Sequence, residues 1–176
     1  SYDCGSLPLI ETLADTFDEL IISTGATFDQ EIEDTAKILR DKDKKFTFLH
    51  CVTIYPTPLD EMHLNRIAYL RGLSDSVGLS DHSLTAQDGV KAALVGIHLG
   101  ATAIERHFTT LPPEQTRDGP VSITKEHLRE IVDFSSMEHD EQDAYLSEHV
   151  PEREIMMGQT SRPLGSVELL NRAYYR

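Results

Sequence analysis

Apolar residues gather in four short runs along the chain: Glu19–Ser23 (ELIIS), Phe46–Val52 (FTFLHCV), Ser76–Ser80 (SVGLS) and Thr102–His107 (TAIERH). Their length and their β-branched and aromatic content predict strands. Each is followed by a turn and then by apolar residues at helical spacing. Thr27 is placed to cap a helix over Phe28–Arg40, with Gln30 as the other half of a capping box. Pro58 and Asp60 open a helix over Leu59–Arg71, and Gln87–Leu99 carries Val90, Ala93, Leu94 and Ile97 on one face. Thr124 caps Lys125–Phe134, and a leading helix covers Leu7–Ala14. The strand starts, at positions 19, 46, 76 and 102, lie 27, 30 and 26 residues apart. That is the length of a βα unit, and repeated βα units predict an α/β fold with a parallel sheet and helices outside it. An open doubly wound sheet and a barrel both satisfy the pattern. A (β/α)8 TIM barrel takes about 250 residues, so four units behind a leading helix correspond to half of one.

From about residue 137 the character changes. The tail is acidic and then rich in turn formers, which predicts a short helix near His139–Glu148, an irregular arm, and a last turn near Val167–Asn171. The expected organisation is a half-barrel unit over residues 1–136 and a helical or irregular extension or linker over 137–176. The 176 residues suffice to bury a core. The formal net charge of −14 argues against nucleic acid as a partner, because phosphate backbones are bound by basic patches. No apolar run approaches membrane length, and the opening SYDCGSLPLI has neither the basic stretch nor the long apolar core of a secretory signal. It also lacks an initiator Met, as a piece of a longer chain would. Cys4 and Cys51 have no metal-type spacing and read as two reduced, buried thiols of a cytoplasmic protein.

Candidate chemistry sits at the carboxyl ends of the strands, where parallel α/β folds place their active sites. The four ends read Ser23-Thr24-Gly25, Thr53-Ile54-Tyr55-Pro56, Ser80-Asp81-His82 and Glu105-Arg106-His107. Side chains alternate across a strand. Gly78, Ser80 and His82 therefore share one face, and Ala103, Glu105 and His107 share another. With the apolar faces packed on the helices, these small and polar faces point into the barrel mouth. Neighbouring strands lie about 4.8 Å apart, which puts His82 and His107 within reach of one ion. The pattern alone leaves an ion-binding pair and two ordinary histidines equally open. Two imidazoles with oxygen ligands suit Mn²⁺, Fe²⁺, Co²⁺ or Zn²⁺ better than Mg²⁺. His50 alternates onto the face of Phe46 and Phe48 and reads as a packed residue. Ser23, Thr24 and Gly25, ahead of a helix start, make either a phosphate cradle or an ordinary turn. Arg106 is a candidate cation for an anionic substrate, although it alternates outward.

The ordered set ISTGAT, LHCVTIYPTP, VGLSDHSL, GATAIERHFT and RDGP resembles the sialic acid synthase family, which makes nonulosonic acids such as N-acetylneuraminic, legionaminic and pseudaminic acid. The resemblance runs from SYDC to about Phe134, and LLNRAYYR is similar to the end of the linker after the barrel in some members. It implies a TIM barrel and a metal-assisted condensation of phosphoenolpyruvate with an N-acetylated aminosugar aldehyde, with release of phosphate. By the motifs it implies His82 and His107 as metal ligands, commonly of Mn²⁺, with Mg²⁺, Co²⁺ and Zn²⁺ as alternatives. Glu105, on the same strand face as His107, is taken with the two histidines as a catalytic candidate. The resemblance implies Ser1, Ser23 and Ser80 as phosphate contacts, and Asp3 and Tyr55 as sugar contacts. Thr53 stands where the family commonly has Asn, and Val121 where an acid often follows Gly-Pro, so that one sugar contact is either lost or supplied by Asp118. Four extra residues separate the two histidines, and the first half of the barrel, with its phosphoenolpyruvate-binding lysines, has no counterpart. A chain of this kind is expected to form a homodimer or to pair with the missing amino-terminal half. Another metal-dependent barrel aldolase or sugar isomerase, or a catalytically incomplete scaffold, are the alternative readings.

Overall fold

The computed structural model describes residues 2–74 and 76–175. Leu7–Thr16 forms α1, followed by β1 (Glu19–Ser23), α2 (Asp29–Asp41), β2 (Lys45–Cys51), α3 (Arg66–Arg71) and β3 (Ser76–Ser80). Then come α4 (Thr85–Asp88), α5 (Lys91–His98), β4 (Ala103–Glu105), α6 (Lys125–Ser135), α7 (His139–His149) and α8 (Ser166–Tyr175). The strands pair in parallel in the order β1-β2-β3-β4. Consecutive parallel neighbours joined by outer helices are half of a (β/α)8 barrel, as expected.

The register fixes the two faces. Ser23, Leu49 and Gly78 lie side by side across β1, β2 and β3, as do Cys51, Ser80 and Glu105 across β2, β3 and β4. The opposite face, with Leu20, Ile22, Phe48, Val77 and Leu79, packs on Ile32, Leu39, Ile67, Leu70 and Leu94 of the helices to form one core. Leu146, Val150 and Met156, from beyond residue 136, join that same core. On the inner face of β1, Ile21 remains 65% exposed.

Several element boundaries differ from expectation, each for a local reason. The cap of α2 is Phe28 rather than Thr27, and Glu31 rather than Gln30 reaches back to it, its carboxylate accepting the Phe28 N–H at 2.9 Å. The Thr27 hydroxyl instead donates to the Gly25 carbonyl. The helix expected over Leu59–Arg71 is broken into a single 3₁₀ turn, Leu59–Glu61, and α3, with His63 at φ +49° between them. The one expected over Gln87–Leu99 is split at Gly89, φ +56°, into α4 and α5. β4 stops at Glu105, two residues short of the expected end. Beyond Ser80 and Glu105 the carbonyls turn to other partners, His82 accepting from Thr57 N–H and His107 from Ile123 N–H. In the tail, the expected turn is a ten-residue helix, α8.

Candidate active site at the strand ends

The carboxyl ends of β2, β3 and β4 bring three rings together. The His82 and His107 ring centroids are 5.3 Å apart, inclined at 77°, and the Tyr55 ring meets His82 edge-on at 4.4 Å. His82 is buried, and its Nδ1 has no hydrogen-bond partner. Burial is the main cause that pushes its pKa down to about 4; the Glu105 carboxylate works against that shift and His107 works with it. His82 is therefore a neutral imidazole at pH 7, the form that ligates a metal. His107 is half-buried, with Nδ1 3.5 Å from an Asp118 carboxylate oxygen, a contact that orients its ring.

Two further orphaned atoms lie at these ends. Ser23 Oγ and Thr53 Oγ1 are buried without a hydrogen-bond partner, a state that costs free energy unless a ligand or water answers them. Thr24, next to Ser23, is by contrast satisfied by the Leu49 carbonyl at 3.0 Å. Ser80 is buried on the inner face beside Cys51 and Glu105. Asp3 is exposed in the turn ahead of α1, and Ser1 lies outside the described residues. The structure thus gathers His82, His107, Tyr55, Glu105, Ser80 and Asp118 around one spot and sets Ser23 and Thr53 at the neighbouring strand ends.

The donor set fits a divalent ion through two imidazoles, one of them orphaned. Among the described residues no group of three or more His, Cys, Asp or Glu side chains is placed to hold an ion. Water or substrate oxygens would have to complete the shell, as they do at open catalytic sites. Arg106 is not available to an anionic substrate: its side chain is only 2% exposed and is spent on Asp81. His50 has the packed role expected of it, with Nε2 2.7 Å from the Met62 carbonyl. A concavity of about 540 Å³ opens at the other end of the strands, around Glu19, Lys45, Thr47 and Ser76.

Sequence reasoning missed the contribution of α8. Asn171 donates to the Thr53 carbonyl at 2.7 Å, and Arg172 to the Ala26 carbonyl at 2.7 Å and to Glu31. Tyr175 stacks on Tyr2 at 4.8 Å. α8 therefore leans on the rim of the strand ends. Its docked residues are polar, so hydrophobic patterning carries no signal for it.

Comparison with known proteins gives the family and the fold. The model of the NeuB family matches residues 1–143. An uncharacterized protein of Methanocaldococcus jannaschii is 36% identical over 134 residues, 75% of this chain and 39% of that protein. The N,N'-diacetyllegionaminic acid synthase of Campylobacter jejuni is 32% identical over 128 residues, 70% of this chain and 37% of the synthase. The crystal structure of the spore coat polysaccharide biosynthesis protein SpsE of Bacillus subtilis superposes with a TM-score of 0.77 at 25% identity, covering 96% of this chain and 46% of that one. The match thus spans under two-fifths of the length of the first two of these relatives and under half of the third.

Proposed function

Because this chain belongs to the NeuB family, we propose that it supplies the strand-end half of a nonulosonic acid synthase. The reaction would join phosphoenolpyruvate to an N-acetylated aminosugar aldehyde and release phosphate. The observation that carries this reading is the pair of imidazoles at 5.3 Å, one with an unanswered nitrogen, on the inner face of a half-barrel mouth. A divalent ion held there, Mn²⁺ foremost, would supply Lewis acidity to the aldehyde oxygen on which charge grows as the new carbon–carbon bond forms.

The chain's own side chains take the remaining roles. Ser23, Thr53 and Ser80 offer hydroxyls to the phosphate and carboxylate of phosphoenolpyruvate. Tyr55, 48% exposed and packed on His82, forms a wall for the sugar. Asp118, its carboxylate 3.5 Å from His107 Nδ1, would hold that ring with Nε2 toward the ion. Glu105, exposed on the same face, takes the proton of the water that adds before phosphate leaves. No described helix is long and apolar enough to cross a membrane, and two free buried thiols suit a cytoplasmic enzyme. Covering the inner face requires a partner, either a second copy or an amino-terminal half.

The test is an Mn²⁺ titration followed by electron paramagnetic resonance. His82→Ala and His107→Ala should each weaken binding by about 100-fold or more, while His50→Gln leaves it unchanged. Equal affinity in all four proteins would remove the ion site. Release of phosphate from phosphoenolpyruvate with a panel of N-acetylated aminosugars, using the chain with its barrel completed, separates the synthase from a barrel aldolase or isomerase.

A further inference from the structure

We propose that the buried Asp81–Arg106 ion pair is a positioning device that sets the separation of His82 and His107. Asp81 directly precedes His82, and Arg106 directly precedes His107. Alternation along an extended chain sends each pair of neighbours to opposite sides, so the ion pair bridges on the helix side the same gap that the imidazoles face on the mouth side. The ladder between β3 and β4 ends at Ser80 and Glu105. Beyond it, a single backbone hydrogen bond, from Asp81 N–H to the Glu105 carbonyl at 3.1 Å, joins these two segments before they diverge. The ion pair takes over at that point. Asp81 is 0% exposed and Arg106 2%, and they are joined through Arg106 Nη1 and Asp81 Oδ2.

The two terminal nitrogens of the guanidinium make further bonds, while its buried Nε has no partner. Nη1 donates to Ser83 Oγ at 2.8 Å, and Nη2 to Thr85 Oγ1 at 2.8 Å and to the Val121 carbonyl at 3.3 Å. The other Asp81 oxygen accepts from Ser83 N–H at 2.8 Å. One side chain thus binds the loop after His82 to the turn that carries Asp118, the residue that orients His107. A Lys could supply the charge but not the planar fork that reaches all of these acceptors at once. The consequence for ion binding rests on the proposed reading of the two histidines, whereas the spacing itself does not.

Two readouts separate those claims. In the metal-free protein, NMR should show a nuclear Overhauser contact between the His82 and His107 ring protons. The Asp81→Asn/Arg106→Gln double variant, which leaves no unpaired buried charge, should lose that contact and bind Mn²⁺ alone about 10–100-fold more weakly. Arg106→Lys, which keeps the charge and the fold, should fall between the two. A folded double variant, or Arg106→Lys if the double variant does not fold, that keeps both the ring contact and the wild-type Mn²⁺ affinity overturns the proposal. Loss of the ring contact with Mn²⁺ binding that is indifferent to His82→Ala would instead retain the positioning pair and discard the ion.

Discussion

Adjacent residues at the strand ends live in opposite environments. His82 faces the mouth with an orphaned nitrogen while Asp81 is sealed behind it. The sequence period of two makes this sidedness legible, and Gly78, Ser80, Glu105 and the two histidines were placed from it. The partner of Arg106 was not legible, because it lies 25 residues away and no local pattern encodes a bond across two strand ends. His50 shows how burial alone can silence an imidazole. Desolvation, its largest influence, pushes its pKa down to about 3, against the opposing hydrogen bond to Met62. The unfolded chain titrates near 6.5, so it takes up a proton that the native state refuses. The resulting contribution to stability is complete above that pH and is lost as pH falls from about 6.5 toward 3. Urea unfolding at pH 7.5, 6 and 5 should show a loss approaching about 1.4 kcal/mol per pH unit below 6 from this residue. His50→Gln should be less stable at neutral pH, yet show a correspondingly flatter acid slope.

Among the elements, β1, β2 and β3 were readable within a residue because each is a dense apolar run with turns on both sides. β4 was not, since the extended chain continues past the point where it still has a neighbour to pair with. Long helices were over-read where a single left-handed residue breaks them. Gly89 at φ +56° is such a site for glycine, but His63 at φ +49° carries no sequence signal. Gly78 has a different reason to be small. A Cβ there would run into the Ala103 carbonyl and the Leu49 side chain, so β3 and β4 meet at their present spacing only without one. Gly78→Ala should destabilise the fold by about 1–3 kcal/mol, the cost of overpacking, measured by urea denaturation. Because Gly78 and Ala103 are in register below the histidines, the same variant should also weaken Mn²⁺ binding. Unchanged stability would mean that the strands can part freely, which the tight core does not suggest.

For the molecule as a whole, half of a barrel leaves sheet edges at β1 and β4 among the described strands. Phe17 and Ile21 lie by β1, and Leu128 and Val132 lie on α6, all at least 45% exposed. Unpaired strand edges and bare apolar surface favour association. Sedimentation should therefore give a mass that rises with concentration above the 19.8 kDa of one chain, and Ile21→Lys should lower it. A strict monomer for the unsubstituted chain across the micromolar range would count against an uncovered inner face. The parallel half-barrel class was legible from the 26–30-residue spacing of strand starts. In the tail, α7 was legible to within a residue, but α8 was not, because it holds on through Asn171 and Arg172 while Leu170 and Tyr174 point to solvent, 70% and 80% exposed.

That inverted helix has a practical corollary. Its last turn rests on Tyr2 and on the loop after β1, so Tyr175 lies at the rim of the candidate site and not at the opposite end of the strands. An affinity tag or fluorescent reporter tethered there is a gatekeeper by geometry, whereas one inserted at Asp43, in the α2–β2 turn at the far end of the strands, has no path to it.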